Sequence, residues 1–142
     1  MAETKKKAKT SSTFKKADLT NGPPTAWTAE LNNGLRMPVL GYGTYKLKED
    51  QVGGCVRKAV DVGYKLIDTA HVYGGGKTEP QVGKALAAKT TFIITKQWRG
   101  FHGYAETKKC LDQSLKRLGR SSVDLLLMHW PGPGYSAMGR SK

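Results

Sequence analysis

Four residues of this chain have types and spacing that could do chemistry together. Asp68 closes the apolar run in "KLIDTA", Tyr73 follows five positions later, Lys96 closes "FIITKQ" and His129 closes "LLLMH". An aspartate at the end of a buried run must be exposed or paired with a cation, because an unpaired charge at a core boundary is costly. Lys96, at the end of another such run, is the natural partner. A phenol leaning over that pair gives up its proton more readily, since a neighbouring ammonium favours the phenolate, as a general acid or base requires. A histidine on the same rim can hydrogen-bond a substrate oxygen. The four together suit delivery of a hydride to a carbonyl carbon and of a proton to its oxygen. Singly, each has a structural use, as ion pair, loop aromatic or satisfied histidine; their joint placement on one rim favours the chemical reading.

The elements around them supply that rim. "AWTAELNNGLRMPVL" reads as a hairpin, Trp27 to Leu31 and Leu35 to Val39 about a turn at Asn32-Asn33-Gly34. A short strand is expected over 40–45, then a helix with Val52, Cys55, Val56, Ala59 and Val60 at helical spacing, weakened by Gly53-Gly54. Strands over 64–70, 91–98 and 123–131 alternate with helices over "TEPQVGKALAAK", where Pro80 fits the first turn, and "YAETKKCLDQSLKRLG". The latter carries Thr107, Leu111, Leu115 and Leu118 on one face and stops at Gly119. Continuous apolar strands alternating with amphipathic helices mean parallel βαβ units. A doubly wound sheet and a (β/α)8 barrel both begin this way, and both place chemistry at the carboxyl ends of the strands.

Competing motifs are weaker. "GGGKT" at 74–78 has His71 where a P-loop needs glycine, and "GYG" at 41–43 lacks the third glycine of a dinucleotide fingerprint. His71, His102 and His129 have no metal-ligand spacing, so no metal is expected. Cys55 and Cys110, without CxxC spacing, read as small buried hydrophobes of a reducing compartment, and no apolar stretch suits a signal or a membrane helix. A cytoplasmic protein with no membrane partner is expected. The net charge of +13 would suit nucleic acid, but six lysines fall within residues 1–20 and no nucleic-acid motif accompanies them. Residues 1–26 are therefore read as a basic, disordered, solvated tail, with nuclear import or RNA contact as the alternative and nucleic acid not the expected partner.

From about Trp27 to Lys142 the sequence resembles an aldo-keto reductase, through "MPVLGYGTYKL", "GYKLIDTAHVYG", "FIITKQW" and "LLLMHWP" in family order. The resemblance implies an NADP(H)-dependent (β/α)8 TIM barrel with a hairpin closing its bottom, and NADPH as cofactor for reducing a small aldehyde or ketone. It makes Tyr73 the proton donor, Lys96 its partner, Asp68 the residue that fixes Lys96, and His129 the orienter of the carbonyl. It also puts Thr44, Tyr45 and Asp68 near the cofactor, and Tyr45, Val72, Trp98, His129 and Trp130 around the substrate. Lys65 stands where the family commonly has arginine, and "GGGKTEPQVG" is longer than the usual stretch after the tyrosine. A barrel takes ~250 residues, so residues 27–142 are expected to be the N-terminal half, a hairpin with four strands and three helices. Such a half is open to self-association through its strand edges. The alternative is an inactive fragment acting at most as an interaction module through those edges and the basic tail.

Overall fold

A computed structural model describes residues 22–87 and 89–131. Most of the basic segment, residues 1–21, lies outside the described residues, as does the end of the chain from 132 onward. A short 3-10 turn, Pro24–Ala26, precedes the hairpin and is tied back by Trp27, whose indole N–H donates to the Gly22 carbonyl at 3.1 Å.

The hairpin pairs β1 (Thr28–Glu30) with β2 (Arg36–Pro38) in antiparallel register, Ala29 opposite Met37. Gly34 takes φ +84 to close the turn, and the Asn33 side chain accepts from the Leu35 N–H at 3.1 Å. The main sheet is parallel, in the order β3 (Tyr42–Gly43), β4 (Leu66–Asp68), β5 (Phe92–Gln97), β6 (Leu125–Met128). Each connection is a helix: α1 (Glu49–Asp61), α2 (Thr78–Ala85) and α3 (Tyr104–Leu118). The hairpin, four strands and three helices expected from the sequence are all present.

The helices cover one face of the sheet. Val52, Val56 and Ala59 of α1 meet Val82, Ala85 and Leu86 at α2, Ile67 and Ile93 of the strands and Leu118 of α3 in one buried cluster. That shared burial carries α1 straight through Gly53-Gly54, because packing of an amphipathic face outweighs a propensity loss of ~1 kcal/mol per glycine. Gly83 is needed where α2 crosses α3, since a Cβ there would collide with the Leu118 carbonyl.

Three boundaries differ from the sequence reading. β3 is only two residues long, because Thr44 turns to bond Asp68. α2 ends at Ala85 rather than near Lys89, where Leu86 and Arg120 take over the last carbonyls: the Leu86 N–H reaches Val82 O, and Arg120 caps Leu86 O and Lys89 O. On α3 the fully buried line is Cys110, Ser114 and Leu118, with Leu111 and Leu115 flanking it, because small side chains let the helix approach β5 closely. Among the described residues no helix is long and apolar enough to cross a membrane.

Candidate active site

The period of two along a strand sorts the residues of β4 and β5 onto two faces. Ile67, Ile93 and Thr95 turn toward the helices, whereas Leu66, Asp68, Ile94 and Lys96 share the other face. The register sets Asp68 beside Ile94, so Lys96 lies one strand step beyond it toward the carboxyl rim. The ammonium reaches back to Asp68 Oδ1 at 2.6 Å, to the Thr69 carbonyl at 2.9 Å and to Tyr73 Oη at 3.3 Å. These three acceptors use all three N–H donors of a lysine, and with its side chain only 14% exposed Lys96 is fixed in place.

That bonding pattern decides the role open to Tyr73. An ammonium can only donate, so Tyr73 Oη accepts from Lys96 and its own proton remains for another oxygen. The ring is buried, beneath Tyr45 at 5.0 Å and against His129 at 5.5 Å between centroids. His129 arrives by the same strand logic: its backbone N–H bonds Gln97 O at 3.1 Å, one step past β6. Burial and the Lys96 ammonium push the imidazole pKa below its ordinary value, against a smaller opposing pull from Asp68. Its buried Nδ1 has no hydrogen-bond partner among the described residues. A neutral imidazole suits that setting, because protonation would add a charge beside Lys96.

Asp68, Tyr73, Lys96 and His129 are therefore gathered at one place. Trp98 and Trp130 flank His129, at 5.4 Å edge-on and 6.3 Å stacked. Tyr45 is exposed over Tyr73, and Val72 is half-buried beside it. Thr44 is fully buried, and both its N–H and its hydroxyl bond the Asp68 carbonyl at 3.0 Å, so it acts from behind the aspartate. A hollow of about 500 Å³ between α1 and α2, lined by Glu49, Arg57 and Gln81, lies on the helix side, remote from this chemistry.

The profile of the Aldo/keto reductase family matches residues 39–137, which include all four residues at the rim. The chain belongs to the aldo/keto reductase family. An aldo-keto reductase of Mycobacterium ulcerans is 41% identical over 115 residues, 78% of this chain and 40% of that protein. The crystal structure of an aldo/keto reductase from Brucella melitensis superposes with a TM-score of 0.69 at 42% identity, over 75% of this chain and 41% of its own. A Bombyx mori aldo-keto reductase solved with NADP gives 0.67 at 32% identity, over 75% and 39%. This aldo/keto reductase chain thus spans about 40% of the length of the relatives it matches. Its four-stranded parallel sheet is part of the (β/α)8 barrel of that family of oxidoreductases.

Sequence reasoning missed two supports of the site. Thr69 accepts from Lys96 through its backbone carbonyl, which no side-chain pattern reveals. Glu79, fully buried in α2, bonds Thr95 at 2.8 Å and Arg117 of α3 at 3.4 Å. The available signal was a carboxylate three residues before Val82, on the apolar face of its own helix.

Proposed function

We propose that the rim carries out the proton-transfer side of NADPH-dependent reduction of aldehydes or ketones to alcohols. The observation that carries this reading is the donation from Lys96, held by Asp68, to Tyr73 Oη, which leaves the phenol proton free to be given away. A reduced nicotinamide, when bound, supplies the hydride to the carbonyl carbon. The donor set at the rim fits such a partner, with a proton donor, a neutral imidazole and the exposed rings of Tyr45 and Trp130 around one space.

Tyr73 donates its proton to the carbonyl oxygen as negative charge develops there, and the Lys96 ammonium offsets the charge left on the phenol oxygen. Asp68 keeps Lys96 extended toward Tyr73, and Thr44 keeps Asp68 in register. His129 donates a hydrogen bond that orients the carbonyl, with Trp98 and Trp130 as walls and Val72 beside them. Water then returns a proton to Tyr73. The free thiols of Cys55 and Cys110 suit a reducing, cytoplasmic setting.

A second reading has one observation in its favour: among the described residues β6 pairs only with β5, and Leu127 and Met128 are exposed on it. A strand in that condition favours association with another chain. Both readings meet in one experiment, NADPH oxidation with a reactive aromatic aldehyde by the folded chain and by Tyr73→Phe. Turnover that vanishes in the variant supports Tyr73 as the acid; equal turnover in both overturns it. No turnover in either favours the association reading for these 142 residues.

A further inference from the structure

Tyr73 sits on a loop whose backbone lacks its own stiffness. Gly74, Gly75 and Gly76 follow it at φ +57, +64 and +88, conformations that only glycine adopts readily, so the segment is permissive by composition. A phenol that must present its oxygen to Lys96 needs that freedom removed, and the removal comes from outside the loop, from α3. Arg117 extends from the last turn of α3 and donates to the carbonyl of His71 at 3.0 Å, two residues before Tyr73. The same guanidinium lies so close to Gly76 that a Cβ there would meet three of its atoms at 3.0 Å. One side chain thereby grips both ends of the segment 71–76. One helical turn earlier, Gln113 Oε1 accepts from His71 Nε2 at 2.9 Å.

We propose that Arg117, held by the buried carboxylate of Glu79, is a positioning residue for Tyr73. Glu79 is fully buried and itself fixed by the Thr95 hydroxyl at 2.8 Å, so the guanidinium is anchored to β5 through α2 before it reaches the loop. β5 therefore locates Tyr73 twice. Lys96 on one face bonds the phenol, and Thr95 on the other face holds the clamp that sets the phenol's loop. Aliphatic residues at 79 and 117 would fill the same space but could not bond the His71 carbonyl. The functional meaning of the clamp rests on Tyr73 being the acid, whereas its geometric effect does not.

The test is tyrosine ring-carbon NMR of the whole chain, with the Tyr73 signal assigned by its disappearance in Tyr73→Phe. Arg117→Ala is expected to displace or broaden that signal while the signals of Tyr42 and Tyr64, packed edge-on at 5.9 Å at the far side of the core, stay in place. Since Arg117→Ala also leaves Glu79 buried and unpaired, the double variant Glu79→Gln/Arg117→Met removes both charges together and keeps the volume. It is expected to keep the Tyr42 and Tyr64 signals and to move Tyr73. A native Tyr73 signal in the double variant would overturn the proposal. Loss of all three signals in the double variant would overturn it too, since the pair would then hold the fold rather than the loop. Arg117→Lys, which keeps a donor within reach of His71, is expected to bring the Tyr73 signal part of the way back. Because no step needs turnover, failure of the clamp and failure of Tyr73 as the acid are separately visible.

Discussion

Neighbouring residues of β5 serve two ion pairs that differ in every respect that matters. Lys96 and Asp68 meet at 2.6 Å on the rim, with side chains 14% and 32% exposed, and their bonding ends on a phenol whose proton is uncommitted. Arg117 and Glu79 meet at 3.4 Å behind the sheet, the carboxylate fully buried and the partners all within the protein. The outer pair is closed, while the rim pair is open to a ligand. The Arg117–Glu79 pair cannot lose Arg117 without a large cost, because the fully buried carboxylate of Glu79 would have no water to turn to. In the rim pair Asp68 is about a third exposed, so a carboxylate left there without Lys96 still reaches water and the loss of one partner costs less stability than at Glu79. Removing a charge should therefore cost activity at one site and stability at the other.

The largest expected effect is on turnover. Lys96→Met should slow aldehyde reduction between ~100-fold and ~10,000-fold, the range for loss of positioned acid catalysis, while urea denaturation shows a smaller loss of stability than for Arg117→Ala, because Asp68 keeps access to water. A comparable fall in stability would erase the contrast between the pairs. Arg117→Ala should lower unfolding free energy by about 3 to 5 kcal/mol, and retention of full stability would mean that Glu79 finds another partner. Gly83→Ala, which forces a methyl against the Leu118 carbonyl where α2 crosses α3, should cost about 1 to 3 kcal/mol in the same assay.

The smallest effect is one of pH. His129 has its pKa held below the ordinary 6.5 by burial first and by Lys96 second. The unfolded chain then binds more protons than the folded one as pH drops through that value, so stability is complete above about 6.5 and falls below it. His129→Gln should flatten that acid limb of a denaturation profile; an unchanged limb would move its origin to another group.

What was legible in the sequence follows the same division. Asp68, Lys96 and His129 stood out because a polar residue ending an apolar strand has few structural uses, and the rule that parallel strands share a carboxyl rim brought them together. The strand and helix order was legible from periodicity. The outer pair was not, because Glu79 and Arg117 are ordinary residues of amphipathic helices until the packing of α2 on α3 turns them inward. The line Cys110, Ser114, Leu118 was hidden for a related reason: small side chains mark a close approach, which hydrophobicity does not report. The run of glycines after Tyr73 was visible as an added length, but its left-handed backbone and its grip by Arg117 depend on α3, which begins 28 residues past Gly76. Thr44 is placed near the cofactor by resemblance alone; its bonds to the Asp68 carbonyl, which no sequence pattern reveals, tie it to the strand that carries Asp68.

The central claim is that Lys96 acts through Tyr73, and a double-mutant cycle on turnover tests it most directly. Tyr73→Phe, Lys96→Met and the two combined are compared with the parent chain under one set of conditions, with folding checked in each. If the lysine serves only the phenol, the combined variant is no slower than Tyr73→Phe alone, because the group it acts on is already gone. Losses that multiply in the combined variant would contradict the account and give Lys96 a role independent of the tyrosine.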